Sequence, residues 1–101
     1  MKKLSIVVHE TAQQQLADFL RNQQLDTFMF SHIEEHSSQM EHDRFLSERD
    51  KVVGYVPQVR LDVILEADAI KTLLGKIKDE QGTFKGKGIY WVTDIDEFGN
   101  L

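Results

Sequence analysis

Val59-Arg60-Leu61-Asp62-Val63-Ile64-Leu65-Glu66-Ala67-Asp68-Ala69-Ile70-Lys71-Thr72-Leu73-Leu74 changes its hydrophobic period part-way along. Val59, Leu61, Val63 and Leu65 alternate with Arg60, Asp62 and Glu66. That is the period of two of a strand whose side chains point to opposite faces by turns. The strand is expected over 52–66. Pro57 cannot donate to a ladder, so it marks a bulge or an edge near the start. Ala69, Ile70, Leu73, Leu74 and Ile77 then recur at helical spacing, behind Asp68 as a helix cap. Gly75 lies inside this helix at a cost of about 1 kcal/mol relative to Ala, and Gly82 supplies its stop.

The same passage from strand to helix opens the chain. In residues 3–9, Leu4, Ile6 and Val8 alternate with Ser5, Val7 and His9, a mostly apolar run that reads as a central strand. Thr11 followed by Gln14 has the spacing of a capping box. Ala12, Leu16, Phe19 and Leu20 form the apolar stripe of a helix ending near Gln23. His9, between strand and helix, reads as a structural histidine. Residues 27–36 read as a second strand and 89–95 as a last one. The order is therefore β-α-β-β-α-β, an α+β, ferredoxin-like arrangement: an antiparallel four-stranded sheet with both helices on one face. Val7, Ile64, Tyr90 and Val92 are expected on the opposite face. Apolar residues there point to sheet-to-sheet oligomerisation.

A chain of 101 residues is one domain, spanning 1–101. Its 41% hydrophobic and 29% charged residues are ordinary for a globular fold. The absence of cysteine excludes disulfides and thiolate chemistry, and deprives a structural zinc of its preferred ligand. A net charge of −5 argues against non-specific nucleic-acid binding, which needs a basic face. Met1-Lys2-Lys3 has the charge of a signal-peptide start. The apolar run behind it stops at His9-Glu10, too short for a leader. The expectation is a cytoplasmic protein without membrane insertion.

Three segments bear chemistry. Gly82-Thr83-Phe84-Lys85-Gly86-Lys87-Gly88 holds three of the six glycines. Backbone N–H groups and the two lysines can cradle an anion there, so Lys85, Gly86, Lys87 and Gly88 are the candidate effector residues. The competing reading is plain turn chemistry. His32, Glu34 and His36 fall at i, i+2 and i+4, on one face of a strand at about 7 Å spacing. With His42 they form a candidate site for a divalent transition metal; exposed histidines on a polar strand extension are the alternative. Finally, Ser37 to Lys51 has no glycine or proline, and eight residues from Glu41 to Lys51 are charged or histidine. Such a segment is a solvated loop anchored by Phe45-Leu46, or an arm that orders on a protein partner. No nucleophile–base pair stands out, so no enzymatic activity is expected. A small oxygenase using Trp91 and Asn100 is a fold analogy that leaves the 37–51 excursion unexplained.

The element order, the excursion between strands two and three and the Gly86-Lys87-Gly88-Ile89-Tyr90 passage together resemble the PII-like signalling superfamily. In that comparison the glycine turn corresponds to the B-loop and residues 37–51 to the T-loop. The resemblance implies a homotrimer with effectors bound in the clefts between subunits, and a loop that contacts a protein partner. His36-Ser37-Ser38, Val53-Gly54, Val59 with Val63, the Ala69–Leu74 helix and Tyr90-Trp91-Val92 resemble more closely a proteobacterial PII-like domain of unknown function. That domain is often found beside heavy-metal efflux systems. The chain departs from PII at two points. Ile89 stands where PII has a phosphate-binding lysine, and residues 94–101 are acidic with no arginine. Both departures weigh against ATP. The resulting expectation is a PII-like trimeric regulator whose effector is a metal ion, an anion or a nucleotide. The alternative is a simple transition-metal-binding protein.

Overall fold

A computed structural model of the chain describes residues 1–38, 54–79, 84 and 86–101. Strand β1 (Lys2–His9) leads through a 3-10 turn (Glu10–Ala12) into helix α1 (Gln13–Asn22). Strands β2 (Met29–Glu35) and β3 (Val56–Leu65), helix α2 (Ala67–Asp79) and strand β4 (Gly88–Asp94) follow. The sheet order is β2-β3-β1-β4, with every neighbouring pair antiparallel. This is the expected ferredoxin-like β-α-β-β-α-β fold.

Register decides which residues share a face. Leu4, Ile6 and Val8 of β1 lie opposite Val63, Leu61 and Val59 of β3. These six meet Leu16, Phe19 and Leu20 of α1 and Ile70, Leu73 and Ile77 of α2 in one buried core. The two helical stripes are those of the sequence, except that Ala69 is exposed and Leu74 only half-buried. Phe28 and Phe30 close the core at the β2 edge, their rings edge to face at 6.0 Å. Pro57 lies one residue beyond the last β1 pair, His9 with Gln58, so β3 has a ladder partner there only on the β2 side. A residue without an N–H is tolerated at such a position.

The helix starts differ from expectation. Thr11 does not cap α1. Its own N–H donates to Nδ1 of His9 at 3.2 Å, so the imidazole caps the 3-10 turn that precedes the helix. Gln14 reaches forward to Asp18 at 2.9 Å instead of back to a cap. Asp68 sits inside the first turn of α2, where its charge favours the positive end of the helix. The α1 terminus comes as expected, but through Gln24 at φ 60°, a left-handed position that ordinarily favours glycine. The expected stop at Gly82 lies outside the described residues. No helix among the described residues is long and apolar enough to cross a membrane.

Candidate functional site

The glycine turn leads from α2 back to the sheet edge. Gly86 adopts φ 71°, and the N–H of Lys87 donates to the Phe84 carbonyl at 3.1 Å. Gly88 opens β4 directly opposite Val8. A Cβ there would stand 2.5 Å from the Val7 carbonyl oxygen and 2.8 Å from Val8 Cγ1. Each of these glycines therefore has a backbone reason of its own: a left-handed turn at one, close strand approach at the other. The Lys87 N–H is engaged within the turn, which removes one donor from an anion cradle. The Lys87 side chain is exposed, and Lys85 lies outside the described residues.

Beneath this turn lies a cavity of about 370 Å³ between α2 and β4. Its floor is Ile6, Val8 and Leu16; Leu74, Ile77 and Phe84 wall it. Gly88, lacking a side chain, leaves the space over Val8 open. Two polar groups meet at the rim. The Lys78 ammonium donates to the Tyr90 hydroxyl at 2.7 Å and stands 4.6 Å from the centre of that ring. Neither Lys78 nor Tyr90 is marked by local sequence. They are twelve residues apart, and only the crossover from α2 to β4 joins them.

At the opposite edge of the sheet, in the same cross-strand row as Gly88, β2 places His32 opposite Val59, with Glu34 opposite Pro57 on the same face. His36 Nε2 meets Glu34 Oε1 at 3.1 Å, and its ring lies 5.8 Å from that of Tyr55. Among the described residues, no group of three or more His, Cys, Asp or Glu side chains is close enough to hold a metal ion. His42 lies outside them, as do residues 39–53, which make up most of the 37–51 excursion.

The sheet face away from α1 and α2, which no helix covers among the described residues, differs from the sequence reading. Tyr90 and Val92 register with Ile6 and Leu4, on the helix side, so they do not belong to the open face. Ile89 and Trp91, opposite Val7 and Ser5, take that place. Asp62, on the face opposite the apolar residues of β3, is only 9% exposed, and Ser5 only 1%. The Ser5 hydroxyl donates to Asp62 Oδ1 at 2.6 Å and Arg60 Nε to Oδ2 at 3.0 Å, so each carboxylate oxygen has a partner. Around the buried Ser5 and Asp62 and the part-exposed Arg60 stand Met29, Ile89 and Trp91, which are 57%, 63% and 41% exposed.

No curated protein matches the chain. A crystal structure of a DUF3240 family protein from Shewanella baltica OS155 shares the fold at a TM-score of 0.71. It is 17% identical, and the alignment covers 99% of this chain and 94% of that one. The DUF3240 profile, described as a protein of unknown function, matches residues 1–101. With the whole length matched, the chain belongs to the DUF3240 family.

Proposed function

We propose that the chain is one subunit of a PII-like homotrimeric sensor that works in the cytoplasm. It takes a small effector at the glycine-turn edge, next to a neighbouring subunit, and signals through residues 37–51. The observation behind this reading is the exposed apolar surface on the sheet face away from α1 and α2. A monomer has little reason to leave Met29, Ile89 and Trp91 exposed over one sheet surface while burying a carboxylate among them. Large apolar groups rimming a satisfied polar centre suit a subunit interface. The Gly86–Gly88 turn opens the strand that carries Ile89 and Trp91, so an interface on this face brings a second subunit near the turn.

Mass measurement by light scattering tests the reading. The wild type is expected at three times the 11.7 kDa subunit mass. Trp91→Glu, which puts an unpaired charge into the interface, is expected to give folded monomers. A monomeric wild type would sink the proposal. A link with heavy-metal efflux belongs to the same resemblance. The Glu34–His36 contact supports metal binding as the second reading, with His32 and His42 as the further ligands. Titration with zinc, copper and nickel should then give binding that His36→Ala removes.

A further inference from the structure

We infer that the cavity between α2 and β4 binds an amphiphilic carboxylate, an apolar acyl or aryl tail whose acid group meets Lys78 and Tyr90. This rests on the reading that the turn edge holds an effector, and names its chemical class; it does not rest on the trimer.

The cavity interior is aliphatic and aromatic. Ile6, Val8 and Leu16 below, with Leu74, Ile77 and Phe84 around, offer a tail nothing to hydrogen-bond. A nucleotide base or a sugar buried there would leave its polar atoms unpaired, at the cost of lost hydrogen bonds to water. A methylene chain gains on entry. At about 370 Å³ the space falls in the lower range of small-molecule pockets.

The rim selects the head group. Lys78 and Tyr90 converge at 2.7 Å, and among the described residues no carboxylate pairs with Lys78. An incoming carboxylate can accept from both the ammonium and the phenol, a charge-assisted arrangement stronger than the Lys78–Tyr90 bond alone. The negative end of the α2 dipole and the neighbouring Asp79 oppose an anion here. Charge balance decides against them. Lys78 lines the cavity and Lys87 is exposed on the turn beside it, two cations against Asp79, the neighbouring carboxylate among the described residues. The described rim is thus basic on a chain of net charge −5, and it opens onto an apolar interior.

Isothermal titration of the intact chain with octanoate, octanamide and butyrate, below the micellar range, tests the inference. Octanoate is expected to bind saturably. Butyrate, four methylenes shorter, is expected to bind at least about a hundredfold more weakly. Lys78→Gln lies on the exposed helix surface and should weaken octanoate by about tenfold to a hundredfold, while leaving octanamide unchanged. Leu74→Trp, which fills the cavity, should abolish both. Absence of saturable octanoate binding, or equal octanoate affinity in wild type and Lys78→Gln, overturns the proposal. Parallel titrations with ATP and inorganic phosphate, in wild type and Lys87→Ala, separate the two claims. Phosphate or ATP binding without octanoate binding keeps an effector at the turn and refutes this ligand class. Octanoate binding by an 11.7 kDa monomer supports the pocket and refutes the trimer.

Discussion

On one face of the sheet, Leu4, Ile6, Val8, Val59, Leu61 and Val63 disappear beneath two helices of their own chain. On the other, Ser5, Val7 and Asp62 are also buried, with no helix above them among the described residues. The first face is covered by elements whose apolar stripes match it, and its stability comes from area and packing. The second is shielded only by the side chains beside it, and its buried carboxylate depends on two specific partners. The first kind of burial tolerates apolar exchange of similar volume. The second is sensitive to the loss of a single hydrogen-bonding atom.

The contrast can be broken from either side. The largest effect is expected at the centre of the helix side. Leu61 is fully buried, and Leu61→Ala should cost about 2–5 kcal/mol in urea unfolding, with the spread set by how far the helices can collapse onto the gap. On the open face, Asp62→Ala leaves Ser5 without its acceptor and Arg60 without its ion partner, and should cost about 1–3 kcal/mol. Adding Ser5→Ala should then cost less than it does in the wild type, by a coupling of about 0.5–1.5 kcal/mol. Full additivity in this cycle would show that the trio is not a unit. The smallest effect is expected where neither face is covered. Lys2 donates to Asp94 at 2.5 Å and holds that carboxyl below the usual carboxylate range, first through the hydrogen bond and then through its charge. The contribution of such a pair is fully present above the ordinary pKa of about 4 and fades as pH falls through the lowered value. Melting curves of wild type and Asp94→Asn should differ slightly near about pH 6 and converge near about pH 2. The same gap at both would assign it to something other than the ion pair.

Much of this architecture could be read from the residues. Clear alternation in β3 and a clear stripe in α2 each have one period, and both survive in the structure. β4 has no such signal. Ile89-Tyr90-Trp91-Val92 is apolar on both faces, so alternation cannot say which side is inward. The register set by Gly88 against Val8 decides it, and reverses the expectation for Tyr90 and Val92. Thr11 has a residue type that favours caps. The imidazole of His9, which does the capping, lies outside the usual set of capping residues. Asp62 looked solvated because a polar residue alternating with apolar ones ordinarily is. Its burial depends on Ser5, which is 57 positions away and adjacent only once the strands pair. The candidate site follows the same rule. Both glycines were visible locally, but the Lys78–Tyr90 rim exists only after the crossover.

The edge position of β4 has a consequence for how one copy of the chain meets another. The opposite edge, β2, interrupts its apolar residues with Ser31, His32, Glu34 and Glu35. β4 instead presents four large apolar residues in succession, all seven of its positions exposed, and one side without a strand partner among the described residues. An uncharged, β-prone segment on an open edge is a template for the same segment of another molecule. Charge guards it only at its ends, with Lys87 just before the strand and Asp94 closing it. Ile89 to Val92 is therefore where aggregation of newly made chains would begin, and Lys87 and Asp94 act as its gatekeepers.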